Sequence, residues 1–296
     1  MRDTFSGFHP AVNMLFFTGT IIFSMSLIHP VCLAISLTCA FAYSIYINGK
    51  KALRWGAMFM LPMLIATALI NPAFNHQGAT ILAYLRSGNP LTLESILYGI
   101  AAAAMLITAI SWFSCFNAVM TSDKFIYLFG RAIPGLSLIL SMSLRFVPRF
   151  KAQIAAISGA QRCIGRDASD GGLLQRARHG IRIVSIMVTW ALENAIETAD
   201  SMKGRGYGLP GRTAFSIFAL TRRDLYALAF IGACCAYIAL GAALGGLRFR
   251  YFPTVRGEWA GFYTISLFMA YLALCLSPLA INIMGDIKWK AIESKI

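Results

Sequence analysis

The stretch Glu197-Thr-Ala-Asp-Ser-Met-Lys-Gly-Arg-Gly-Tyr207 closes a helical pattern on glycine beside an arginine, and Gly159-Ala-Gln-Arg-Cys-Ile-Gly-Arg166 does the same upstream. Residues of these types can bind a partner. Small residues at a helix end permit a left-handed exit and a close approach by another surface, and the last carbonyls leave that end locally negative and hospitable to a cation. An arginine there can make a forked, charge-assisted contact to a partner's carboxylate. The plainer alternative is an ordinary C-cap with a dipole-compensating arginine. Two such ends in one chain point to a docking device.

Other chemistry has little support in the residues. His9, His29, His76 and His179 show no HExxH or paired-ligand spacing, and the seven cysteines form no CxxC pattern, so they read as structural residues and small buried hydrophobes without metal or redox work. There is no GxxxxGK[ST], so nucleotide is not bound in the P-loop manner. Gly204-Arg-Gly-Tyr-Gly208 superficially resembles a dinucleotide fingerprint, but no strand precedes it.

The elements that must position these ends are membrane elements. The 296 residues are 58% hydrophobic and 13% charged, with a mean hydropathy of +0.66, too apolar for a soluble domain and long enough for several spans. Charge interleaved with apolar runs makes the net charge of +14 a matter of membrane topology and not of nucleic-acid binding. The expected fold class is all-α: a polytopic membrane protein of about six transmembrane helices plus a cytosolic amphipathic helical hairpin.

Residues 1–120 carry four expected spans: 11–28 and 31–47, separated by His29-Pro30, then 55–70, then 96–120. Lys50, Lys51 and Arg54 mark a cytoplasmic loop, which places the amino terminus on that side. Residues 71–95 hold Pro72, Gly78, Gly88 and Pro90 and read as an external loop with one short interfacial helix.

Residues 121–223 are different. They contain fifteen basic and six acidic residues, nine of the chain's excess of fourteen positive charges, in patterns that are helical. From Leu136 to Ile157 an apolar run carries Arg145 and Arg149 four apart, with Pro148 as an expected kink. Its apolar part is short for a span, so it is expected to dip into the interface. After the turn at Asp170-Gly171-Gly172, Ile183, Ile186, Met187, Trp190, Ala191 and Ile196 recur near helical spacing, with Glu193, Glu197 and Asp200 opposite. Gly204, Gly206, Gly208, Pro210 and Gly211 end that pattern. The two helices are expected to form a hairpin resting on the membrane part by its apolar sides. Residues 224–296 supply the last two spans, 225–247 and 262–284, with 248–258 between them, and Lys288, Lys290 and Lys295 place the carboxyl terminus in the cytoplasm.

Leu144-Arg-Phe-Val-Pro148 running into Ala160-Gln161, followed by Ala199-Asp-Ser-Met-Lys-Gly-Arg-Gly-Tyr207, resembles the transmembrane T component of energy-coupling factor transporters, the EcfT/CbiQ family of vitamin and metal uptake systems. With the Phe8-His-Pro-Ala-Val-Asn13 segment, the resemblance covers nearly the whole chain in order. It implies a non-catalytic subunit of an ABC-type importer in the cell membrane, partnered by two ABC-type ATPase subunits that bind the ATP and by a membrane-embedded substrate-binding S component. It assigns Gly204, Arg205 and Gly206 to one ATPase, with Gly204 where the family usually has alanine. For the other it places Ile164-Gly165 where the family has Arg-Gly, leaving Arg162 and Arg166 as the neighbouring arginines. Arg145, Pro148, Gln161, Asp200 and Met202 fall among the residues that support the coupling helices. The residues by themselves leave another reading: a self-sufficient carrier or membrane enzyme whose basic hairpin binds anionic lipid or a regulator.

Overall fold

His9-Pro10 and His29-Pro30 start the first two helices by the same device. In the computed structural model of the chain, each imidazole Nδ1 accepts from the backbone N–H two residues on, at 3.2 Å for Ala11 and 3.3 Å for Val31, and each proline occupies the first helical turn, where its missing N–H costs nothing. The helices are α1 (Pro10–Ser26) and α2 (Pro30–Asn48). The structure describes residues 3–49, 56–84, 90–130, 133–166, 172–207, 209, 218–257 and 261–294. The basic trio Lys50, Lys51 and Arg54, the turn at Asp170-Gly171, the breakers Gly208, Pro210 and Gly211, and Lys295 lie outside them.

A π-helical turn, Gly56–Met60, runs into α3 (Leu61–Phe74). A two-stranded antiparallel ribbon of β1 (Ile81–Tyr84) and β2 (Pro90–Thr92) follows, and then α4 (Leu93–Val119) and α5 (Ser122–Gly130). Next come α6 (Pro134–Cys163) and α7 (Leu173–Gly204), and finally α8 (Arg222–Ala243), the short ribbon β3 (Phe249–Arg250) and β4 (Arg256–Gly257), and α9 (Phe262–Glu293). By length and hydropathy α2, α4, α8 and α9 can each cross a membrane, while α1 and the Pro62–Phe74 part of α3 are apolar but shorter. At about 1.5 Å per residue, the 17 residues of α1 reach roughly 25 Å of the ~30 Å hydrocarbon layer.

Residues 71–95 differ from expectation. Among the described residues there is no separate short helix; α3 runs through Pro72 to Phe74, the ribbon of β1 and β2 follows, and α4 begins at Leu93. Long-range polar contacts account for this. Asn71 Nδ2 donates to the Ser95 carbonyl at 2.7 Å, and the Glu94 carboxylate folds back to accept from Thr80 Oγ1 at 2.9 Å and Thr80 N at 3.2 Å. Backbone groups that a short isolated helix would leave open are met by strand pairing.

The chain divides into two compact units, Met1–Phe125 with Phe218–Ile296 and Ile126–Ile217. In the first, α4 packs along α2 and α3, α9 against α2 and α8, and α1 against α4 and α8. Its core is aromatic. Phe16, Phe17 and Trp112 meet edge to face with ring centroids 5.2–6.4 Å apart, the geometry favoured by the ring quadrupoles. The Trp112 indole N–H donates to Ser36 Oγ at 2.9 Å, so the one polar atom of the largest buried side chain is satisfied. At Gly241 a Cβ would run into Leu267, and its absence lets α8 and α9 approach closely, as small residues do between membrane helices.

A polar latch closes one end of this unit. Phe5, fully buried among Phe16, Phe17 and Tyr43, donates its backbone N–H to Asn282 Oδ1 at 2.7 Å, and Asn282 Nδ2 donates to Asp3 Oδ1 at 2.8 Å. Lys124, 5% exposed, donates to the Ser6 carbonyl at 2.6 Å, Ser6 Oγ at 2.8 Å and the Val119 carbonyl at 2.8 Å. Burial pulls its ammonium pKa below the usual lysine value, and Asp3 opposes that shift. On α8, Asp224 closes a capping box with Thr221 and also accepts from His9 N at 3.2 Å. The amino-terminal segment is thus tied to α9, to α8 and to the start of α5, the helix that leads to residue 126 and the second unit.

Candidate docking site

The second unit is built from α6 and α7. Trp190 on α7 takes the Phe150 ring edge-on at 5.8 Å and the Arg149 guanidinium over its face at 5.5 Å, a cation–π contact that fixes one of the two arginines spaced four apart on α6. Arg145 and Pro148 are exposed, and Pro148 lies within the continuous helix. On α7 the residues turned inward are Ile183, Met187, Trp190 and Ala191, together with Asn194 and Thr198. Ile186 and Ile196 do not join them. They are 38% and 65% exposed, because among the described residues α6 is the helix packed on α7, and it covers a narrower arc than the apolar pattern occupies. Ile181, Val184, Val188, Leu192 and Ile196 instead form an exposed apolar stripe within the unit.

Both helices end in the same Schellman geometry. At the end of α6, Gly165 N donates to the Arg162 carbonyl at 3.0 Å and Arg166 N to the Gln161 carbonyl at 2.9 Å. At the end of α7, Gly206 N donates to the Lys203 carbonyl and Tyr207 N to the Met202 carbonyl, each at 3.0 Å. Gly165 and Gly206 have φ of 72° and 79°, the left-handed region that an L side chain resists. Residue by residue, Gln161 therefore corresponds to Met202, Arg162 to Lys203, Cys163 to Gly204, Ile164 to Arg205, Gly165 to Gly206, and Arg166 to Tyr207.

The cap residues themselves are Ile164 (φ −98°, ψ 18°) and Arg205 (φ −87°, ψ 10°). Neither Arg162 nor Arg166 stands where Arg205 stands; they flank the position, one on each side of Ile164-Gly165. All four of Arg162, Ile164, Arg166 and Arg205 are exposed. Asp200 makes an ion pair with Lys203 at 3.9 Å, but with side chains 71% and 78% exposed it contributes at most about 1 kcal/mol. Gln161 and Met202 contribute through their backbone carbonyls, which close the two caps. The sequence already sets Ile164-Gly165 beside Arg205-Gly206; the cap hydrogen bonds make them the same positions in space.

Gly206→Ala is expected to loosen the α7 end, because the left-handed φ costs an alanine about 1–2 kcal/mol and its Cβ would sit 3.0 Å from Leu209 Cδ1. Hydrogen exchange in a peptide covering Met202–Tyr207 should speed up about tenfold, since 1.4 kcal/mol is a factor of ten. Gly204→Ala, at a helical position with open space around it, should not speed it. Equal exchange in both variants would contradict the cap.

Among the described residues no group of three or more His, Cys, Asp or Glu side chains is placed to hold a metal ion. A family model described as CbiQ, cobalt transport protein, matches residues 4–215. Among similar proteins, a Lactobacillus helveticus energy-coupling factor transporter transmembrane protein EcfT is 36% identical over 104 residues, 35% of this chain and 38% of that protein. A Listeria monocytogenes protein named as EcfT 1 of the same kind is 29% identical over 217 residues, 69% of this chain and 75% of its own length. A Streptococcus thermophilus EcfT is 27% identical over 213 residues, with the same two shares of 69% and 75%. The chain thus spans well under half of the first relative's length and three quarters of the other two.

Proposed function

The chain belongs to the CbiQ cobalt transport protein family, and from that premise we propose that it is the transmembrane coupling (T) component of an energy-coupling factor importer of the ABC type. It is a non-catalytic subunit. Two ABC-type ATPase subunits bind and hydrolyse the ATP, and a separate membrane-embedded S component binds the vitamin or metal ion. Both termini and the α6–α7 unit face the cytoplasm. Closure of the ATPases pushes on the two helix ends, and the helices pass that movement to the membrane part and so to the S component. The observation that carries this reading is the repetition of one exposed cap geometry at the ends of both helices, as a subunit with two sockets to fill requires. The exposed apolar stripe on α7 supports a membrane partner or lipid beside it.

The experiment is purification of the tagged chain in mild detergent from membranes of its own host. ABC-type ATPase polypeptides should come with it in stoichiometric amount, and the preparation should hydrolyse ATP. A chain that purifies alone and hydrolyses nothing would overturn the reading. It would favour the basic hairpin as a lipid-binding element of a self-sufficient carrier.

A further inference from the structure

We propose that the two helix ends are made for chemically different sockets: Arg205 for one with carboxylates at its floor, and Ile164 for one whose floor is apolar. This rests on the docking role given above and adds the chemistry of each partner surface. The two caps are equivalent. The same pair of hydrogen bonds and nearly the same dihedral angles put Ile164 and Arg205 at the same place relative to their helix axes, so each presents its side chain to its partner in the same way.

One position before the small residue, the two ends agree: Arg162 and Lys203 are both cations. The difference in charge lies at the cap and at the residue after its glycine, Ile164 and Arg166 at one end against Arg205 and Tyr207 at the other. The cation has moved across the glycine. Ile164 is 59% exposed and contributes nothing to its own helix that a polar residue could not. A carboxylate-floored socket closed over it would strip water from the carboxylates and return no partner, while an apolar floor closed over an arginine would bury an unpaired charge. Neither cap therefore suits the other's socket. Arg166, beyond the glycine, is left to meet acidic groups on the rim of the apolar socket, where exposed pairs steer association more than they tighten it.

The test restores the arginine. In the purified complex, Ile164→Arg gives both helix ends an arginine cap, and with two carboxylate sockets it would hold or raise the amount of ATPase recovered. Different sockets predict a loss of at least tenfold, with Ile164→Met keeping recovery near that of the unaltered chain and Ile164→Ser losing it. Hydrogen exchange over Gln161–Arg166 checks that the cap is intact in each variant. If Ile164→Arg with an intact cap retains or improves recovery, or if Met and Ser behave alike, the proposal is wrong. Failure of the docking role itself looks different, because the unaltered chain would then recover no ATPase.

Discussion

Arg205→Glu is expected to abolish recovery of the ATPase subunits with the purified chain while leaving the chain in the membrane. Arg205 is exposed at a cap, and among the described residues of its unit its guanidinium has no packing role to lose. Reversing the charge places a carboxylate at the negative end of α7, a local penalty of about 0.3–1 kcal/mol. At a desolvated interface the loss is larger: truncating one partner of a hydrogen-bonded charge pair costs about 2–5 kcal/mol, roughly 30- to 5,000-fold in affinity. Interface loss therefore outweighs any local effect. Arg205→Lys, which keeps the charge and loses the fork, should retain part of the recovery. Unchanged recovery with Arg205→Glu would remove the docking role from this residue.

The second large effect is expected inside the membrane unit. Lys124→Met keeps length and apolar bulk but leaves the Ser6 carbonyl, Ser6 Oγ and the Val119 carbonyl, now between 2.6 and 2.8 Å from Nζ, without their donor. An unmet buried polar group costs about 1–3 kcal/mol. Some of this is returned, because the substitution also removes a charge whose burial is unfavourable. A net loss of about 3 kcal/mol would lower the melting temperature in detergent by roughly 5–10 °C. Asn282→Leu acts on the same segment through Phe5 and Asp3, so the double variant should lose less than the sum of the two single losses. A melting temperature for Lys124→Met within a degree or two of the unaltered chain would show that the latch carries little stability. Because α5 leads from this latch to the second unit, coupled transport should fall in the variant even where ATPases are still recovered.

The all-α membrane architecture was legible in the sequence because its cause is local. Apolar runs, the two His-Pro steps and the glycines that end α6 and α7 act through the chain's own solvent preference and backbone geometry within a few residues. Even the pairing of Ile164-Gly165 with Arg205-Gly206 is visible as a spacing. What the spacing does not reveal is that these are the same positions in space. That was decided by the hydrogen bonds to the Gln161 and Met202 carbonyls, which place Arg162 and Arg166 beside the cap and not at it.

Three further features only the tertiary structure decided. The partners of Lys124 and Asp224 are brought to them by the fold: Ser6 and His9 lie more than one hundred residues away in the chain, and Val119 closes the set around Lys124. The strands β1 and β2 pair as a ribbon beside the Thr80–Glu94 hydrogen bond, a contact no local propensity encodes. The helical period of α7 marked a broad apolar arc, but which part of it is covered was set by where Phe150 and Arg149 meet Trp190. Periodicity specifies which residues avoid water together; the neighbour that shields them is a property of the folded chain.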